Sequence, residues 1–268
     1  MKVFALTPWL LSLALVSSAV ADPFKPSFKQ QLDLGQQAAV QIRKKEKVLP
    51  ESDARAKLIK SIGEKFVKFI PEAELKKKPY KFSFEVIDSK EVNAFALPGG
   101  PLFFYTGLLE KMKSEDELAA VMGHEMTHVR EEHWAGDYAA AQRRQVGLIV
   151  GDLLGVPRTV LNVAAVADGL LLGPKYSRKS EERADLGGFR LMLEAGYNPQ
   201  GAVDLFDTLA SLQKGSRPPE ILNSHPDDKK RREGMLKRMK EAEKKGTVWP
   251  AKKPLPLAQP ERKPADKA

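Results

Sequence analysis

Ser114–Arg130 reads SEDELAAVMGHEMTHVR, and the interpretation of this stretch decides how the rest of the chain is folded. Ser114 with Glu117 three residues later is the pattern of a capping box, which predicts a helix start. Leu118, Val121 and Met122 recur at helical spacing and give that helix an apolar face. His124 and His128 are four residues apart, so both imidazoles leave the helix on one side, a turn apart. Two neutral imidazoles so placed can bind one Zn²⁺ at about 2.0–2.1 Å each. Glu125, one residue on, can reach a water on such an ion without ligating it. Two ligands and a base on one helix are what a zinc hydrolase needs. The bland alternative is a helix with two surface histidines around a solvated glutamate. Scarcity argues against it: the chain has four histidines, and His124, His128 and His133 fall within ten residues.

A catalytic zinc takes three protein ligands and keeps one position for water. His133 follows His128 by five residues. A helix that breaks after its second histidine supplies a third ligand six residues on, with glycine at the break, and Glu131 with this spacing misses that pattern. The later stretch SRKSEERAD offers Glu181 as the third ligand, with Asp185 a turn away to accept the free ring N–H of a ligand histidine. Spacing alone leaves Glu182 as a rival ligand, and an ordinary acidic helix start would look the same.

Residues 1–21 read as a signal peptide: Lys2 as a positive start, an apolar core over Phe4–Val16, and Ala19-Val20-Ala21 as a small-residue cleavage site. The expectation is export to the periplasm with cleavage after Ala21; the apolar run is short for a retained membrane anchor. The net charge of +9 becomes +8 once Lys2 is removed, and much of the surplus lies after residue 228. Trp249 is the only aromatic there, so nucleic-acid binding is not expected. With no cysteine, an exported chain is stable without disulfides and holds any metal through histidine and carboxylate.

The order of elements suggests an α+β domain over 22–245, mainly helical, with a small antiparallel sheet beside the HExxH helix. Phe28–Lys47 predicts a helix with Leu32, Ala39 and Ile42 inward, and Asp53 or Ser52 caps a second to about Phe69. Tyr80–Ile87 alternates as a half-buried strand, and Pro101–Tyr105 is another. Between them, Asn93-Ala94-Phe95-Ala96-Leu97-Pro98-Gly99-Gly100 favours an edge strand, able to hold an extended peptide, or merely a hairpin turn. The central helix is expected to run as far as Arg144. Val146–Leu154 and Val160–Leu172 are apolar but too short and interrupted for membrane spans, and read as a buried or cleft-covering helical pair, with peripheral membrane contact as the lesser option. Helices are predicted over Tyr176–Glu194, from Pro199 with Val203, Phe206, Leu209 and Leu212 inward, and over Asp227–Lys245. Residues 246–268, rich in proline and lysine, read as a disordered basic tail.

HEMTH followed about fifty residues later by SRKSEERAD resembles the HExxH and SRxxExxAD pair of metallopeptidase family forty-eight, the group of the HtpX, CAAX-prenyl and periplasmic BepA-type proteases. NAFALPGG is similar to that family's strand along the cleft, and SHP at 224–226 with Arg231 to its late histidine motif. The resemblance implies a zincin-like fold of the gluzincin type and one Zn²⁺ per chain on His124, His128 and Glu181. It also implies Glu125 as catalytic base, Asp185 behind the ligands, and His225 and Arg231 as cleft residues; in some periplasmic members the histidine corresponding to His225 occupies the open metal position. Lacking the spans of the HtpX branch, the chain is expected with the soluble exported members.

The expected activity is a zinc endopeptidase acting on unfolded or misassembled cell-envelope proteins. The peptide would lie along Asn93, Ala94, Phe95 and Ala96, Glu125 would take the proton of the attacking water, and His225 or Arg231 would donate to the developing oxyanion. Two other readings stand beside it: an envelope chaperone or assembly factor with its zinc capped by His225, and a protein using its basic tail on anionic lipid or cell wall.

Overall fold

The computed structural model describes residues 22–153, 176–213, 219–225 and 229–257. The signal-peptide reading (1–21), the second apolar run (160–172) and the end of the tail (258–268) lie outside the described residues. Among those described, no helix is long and apolar enough to cross a membrane.

Three helices lead into the sheet. α1 (Phe28–Lys45) starts with a full capping box between Ser27 and Gln30. α2 (Ala54–Val67) is capped by Asp53, whose side chain accepts the Arg55 N–H, and buries Ile59, Ile62 and Phe66. α3 (Glu72–Lys77) is a short helix that the prolines around it concealed in the sequence. The sheet is β1 (Ser83–Ile87), β2 (Ala94–Ala96) and β3 (Pro101–Tyr105), in the order β1-β3-β2.

The sheet is mixed, where antiparallel pairing throughout was expected: β2 pairs antiparallel with β3, but β1 runs parallel to it, Ser83 opposite Pro101. The reason is connectivity. The segment between β1 and β3 carries β2 to the far side of β3, so β3 enters the centre in the direction of β1. Leu102, Phe103 and Phe104 of β3 are fully buried. Pro101 fits because it is the first residue of its strand. β2 is an edge strand.

After the single turn α4 (Thr106–Leu109) comes α5 (Glu115–Arg130), whose Ser114 Oγ accepts the Glu117 N–H at 3.2 Å. The expected continuous helix to Arg144 is broken: Glu132 adopts the left-handed region (φ 53°), and α6 (His133–Leu153) starts in a new direction. α7 (Arg178–Glu194), α8 (Gln200–Gln213), the short α9 (Ile221–Ser224) and α10 (Lys229–Lys244) complete the elements. One large apolar core joins α2, the inner face of the sheet, α5, α7, α8 and α10.

The first part of the stretch read as a basic tail is also described. Residues 247–257 are placed along the body. The Lys253 N–H donates to Asp116 Oδ2 at 2.6 Å, the Glu115 N–H donates to the Lys253 carbonyl at 3.0 Å, and Trp249, Leu255 and Leu257 pack on the core. A composition too polar to build a core of its own can still cover one, given a buried acceptor such as Asp116 to dock on.

Candidate metal centre

The site exists because α5 and α7 cross with their backbones nearly touching. A Cβ placed on Gly188 would come within 2.8 Å of the His124 backbone nitrogen, and one on Gly123 within 3.0 Å of Gly188 Cα. Gly187 is filled in the same way by the Thr127 side chain. Nothing larger than glycine permits that approach. Glu181 lies two helical turns before the crossing, and the approach carries its carboxylate to the two histidines of α5.

Four donor atoms converge there. His124 Nε2 lies 3.0 Å from His128 Nε2 and 3.1 Å from His225 Nδ1. Glu181 Oε1 is 3.0 Å from His225 Nδ1 and 3.4 Å from His128 Nε2, and Glu181 Oε2 is 3.4 Å from His124 Nε2. Ligands about 2.1 Å from a common centre at tetrahedral angles are themselves about 3.4 Å apart, close to these spacings.

Tautomers make the same point. Asp185 Oδ1 sits 3.0 Å from His124 Nδ1, so that nitrogen carries the ring proton and Nε2 presents a lone pair to the cluster. A lone pair facing other lone pairs and a carboxylate needs a cation between them. The charge count agrees: Glu125, Glu181 and Asp185 are buried beside one buried guanidinium, Arg231, an excess suited to a divalent ion. His124, His128, Glu181 and His225 together form a group that could hold a metal.

The electrostatics point to cation binding. Burial opposes charge on His124, yet the Glu181 and Asp185 carboxylates outweigh it and raise its pKa to about 9. Burial drives His128 well below the usual histidine range. Glu181 is held far below the ordinary carboxylate range, its burial overcome by His124, His128 and His225. Asp185 is held at about 2 against burial, chiefly by hydrogen bonds from Arg231 and His124.

Glu125 lies beside the cluster, not in it. Its two carboxylate oxygens are buried without a hydrogen-bond partner among the described residues, and burial raises its pKa. His225 Nε2 is 3.4 Å from its Oε1, and the Ala96 backbone amide of the edge strand is also close. Of the four residues expected along the substrate, Ala96 is the one next to the base; Ala94 is buried, Asn93, Phe95 and Ala96 are partly exposed, and Phe95 packs against Phe103. The rival Glu182 is exposed and is not among the converging groups.

Arg231 is paired with two carboxylates of the site. Its Nη1 lies 2.6 Å from Glu181 Oε2, while its Nε and Nη2 donate to Asp185 at 2.8 and 2.7 Å. The guanidinium bridges the two carboxylates behind the donors and offsets their mutual repulsion. Arg231 also lines the cavity beside His124, Glu125 and His225.

Residues 53–239 match the family model described as Peptidase family M48. The chain belongs to that family. It is 32% identical over 155 residues to the beta-barrel assembly-enhancing protease of Escherichia coli (strain K12), an alignment covering 54% of this chain and 32% of that protein. It is 33% identical over 154 residues to metalloprotease YcaL of the same organism, covering 56% and 59%. It is 36% identical over 159 residues to mitochondrial metalloendopeptidase OMA1 of Schizosaccharomyces pombe, covering 56% and 44%. The aligned part thus spans a third to little more than half of these relatives' lengths.

Two features of the M48 site went unread in the sequence. The glycines at 123, 187 and 188 look like ordinary helix weaknesses until Gly123 is seen to face Gly188 and Gly187 to face Thr127; Gly-Gly inside the SRKSEERADLGGF helix was the available signal. Tyr176 lies against His128 with ring centroids 3.9 Å apart and planes at 28°, a contact with no signature at the level of spacing.

Proposed function

We propose that this chain is a zinc-dependent endopeptidase that cleaves extended polypeptides, in particular unfolded or misassembled envelope proteins, after export to the periplasm. The observation that carries the reading is the convergence of His124, His128, Glu181 and His225 beside a buried, unpartnered Glu125. In this reading His124, His128 and Glu181 hold the ion. When bound, zinc supplies Lewis acidity that lowers the pKa of a water and polarises a carbonyl. Glu125 takes the water's proton and delivers it to the leaving amine. Asp185 fixes the His124 ring, and Arg231 keeps Asp185 and Glu181 together.

Substrate lies along β2, which has no strand neighbour on its outer edge among the described residues, and whose Ala96 sits next to Glu125. Strand addition demands an unfolded segment, which supports misassembled proteins as the substrate class. A cavity of about 50 Å³ opens from His124, Glu125 and His225 between Val121, Phe189, Phe206 and Met235. Its apolar walls suit an apolar side chain next to the bond that is cut. The name of one relative, the beta-barrel assembly-enhancing protease of Escherichia coli, supports an envelope role.

In this reading His225, whose Nδ1 lies 3.1 Å from His124 Nε2 and 3.0 Å from Glu181 Oε1, caps the ion, and cleavage requires it to move away. The same capping favours a second reading, an assembly factor with little turnover. Glu125→Gln separates the two. The peptidase account expects at least about a thousandfold loss of cleavage of a denatured envelope protein, with the zinc content unchanged. An assembly factor would keep its activity in that variant. Wild-type protein that cleaves no unfolded substrate, even with His225→Ala, would defeat the peptidase reading.

A further inference from the structure

His128 turns Nε2 towards the donor cluster, so its ring proton sits on Nδ1. That nitrogen lies 3.0 Å from His133 Nδ1. With Nδ1 of His128 as donor, Nδ1 of His133 is the acceptor, and the His133 proton is on its Nε2. We propose that His133 is the positioning residue of His128: it accepts the Nδ1–H and fixes the tautomer and the ring angle that aim Nε2 at the metal. The inference rests on the metal-centre reading of the site.

Three observations converge on it. The first is the chain path. α5 stops at Arg130, and Glu132 at φ 53° turns the backbone so that α6 opens with His133 facing back on His128. Such a conformation is unfavourable for any residue but glycine, and here it is held by partners. The Glu132 carboxylate takes Lys78 at 2.5 Å, Lys25 at 3.1 Å and the Gln31 amide at 2.8 Å. The turn is thus built into the fold and is not a fraying helix end.

The second is burial without satisfaction. His133 is 6% exposed, and its Nε2 has no partner among the described residues. A residue kept only to fill space would be apolar, since a buried unpaired N–H carries a desolvation penalty. The hydrogen bond to His128 is what the imidazole provides in return.

The third is the ring opposite. Tyr176 stacks on the His128 face at 3.9 Å, leaving the His128 ring with its face covered and one nitrogen tethered. Metal-ligating histidines commonly have such an outer partner on the free ring nitrogen, and its loss weakens binding by about 10–100-fold. His124 has Asp185 in this role; His128 has no carboxylate there and uses His133.

The test is a zinc dissociation constant for the full chain, measured by competition with a chelator, with the melting temperature of the zinc-free protein alongside. His133→Phe keeps the ring and its burial but deletes the acceptor, and is expected to weaken zinc binding about 10–100-fold. His133→Asn offers Oδ1 as an acceptor near the lost nitrogen and is expected to restore most of that loss. Zinc binding in the Phe variant equal to wild type overturns the proposal. Equal weakening in both variants that follows their melting temperatures overturns it too, since that is packing. Should the Phe variant not fold, ring ¹⁵N shifts in zinc-loaded wild type decide: a proton on His128 Nδ1 with His133 Nδ1 bare supports the assignment, and a proton on His133 Nδ1 refutes it. Wild type that binds no zinc defeats the metal-centre reading itself. Zinc bound by wild type and indifferent to His133→Phe defeats this proposal alone.

Discussion

The two histidines of α5 are one turn apart on the same helix, yet they are held in opposite ways. His124 leans on charge: its Nδ1 donates to Asp185, which is gripped by Arg231, which also grips Glu181. His128 leans on neutral groups: His133 at its free nitrogen and Tyr176 across its face. The difference appears in their proton affinities, with His124 raised to about 9 by its carboxylates and His128 pushed far down by burial. One histidine is anchored by electrostatics and the other by packing, so different perturbations reach the two. The charged side looks towards α10 and the cavity; the neutral side looks towards the α5–α6 turn and β2.

That contrast can be broken most severely at Arg231. Arg231→Met leaves the Glu181 and Asp185 carboxylates buried without their shared cation, and removing one partner of such a cluster costs about 3–5 kcal/mol. Chemical denaturation of the zinc-free variant is expected to show this loss. Added zinc is expected to recover part of it, because the ion replaces some of the missing positive charge.

Gly188→Ala acts on the crossing that brings the two sides together. The added methyl meets the His124 backbone at 2.8 Å, with no flexible side chain to give way. A loss of about 1–3 kcal/mol is expected in thermal melts, with weakened zinc binding as α7 is pushed off. A variant as stable as wild type with unchanged zinc affinity would show that the close approach is not required.

The neutral side has its own handle in Glu132. Burial opposes its charge, but Lys78, Gln31 and Lys25 outweigh that and hold its pKa at about 2. A carboxyl whose folded pKa is depressed contributes stability that is present above the unfolded value of about 4.3 and is lost as pH falls through the folded one. The zinc-free protein is therefore expected to lose on the order of 1 kcal/mol through this group between about pH 4 and pH 2. In Glu132→Gln that part of the pH dependence should flatten. Identical acid profiles for variant and wild type would remove Glu132 as the clamp of the turn.

How much of this could be read beforehand follows physical lines. The HExxH spacing, the second acidic helix and its Asp185 were legible because helical periodicity translates directly into a shared face. The edge character of β2 was legible because Pro98 and the glycine pair restrict the backbone. Glu181 could be preferred to Glu182 only through the resemblance, since both are on the same helix; burial separates them. The break after Arg130 was not legible, because Glu-Glu carries no stop signal and the turn is stabilised by Lys25, Gln31 and Lys78, far away in sequence. Parallel pairing of β1 with β3 depends on which side β2 takes, which local propensity does not encode. Docking of residues 247–257 depends on Asp116, whose buried carboxylate accepts the Asn198 and Lys253 N–H groups. In the sequence Asp116 is only one more acidic residue in a helix's first turn.

The most direct measurement is the metal content of the purified full chain and of Glu181→Ala, by elemental mass spectrometry after exhaustive dialysis. The account predicts one zinc per chain in wild type and almost none in the variant, since without Glu181 the ion keeps only the two neutral ligands of α5 and a displaceable His225. Wild type without stoichiometric metal, or a variant that keeps its zinc, would contradict the claim that α5 and α7 meet around one divalent ion.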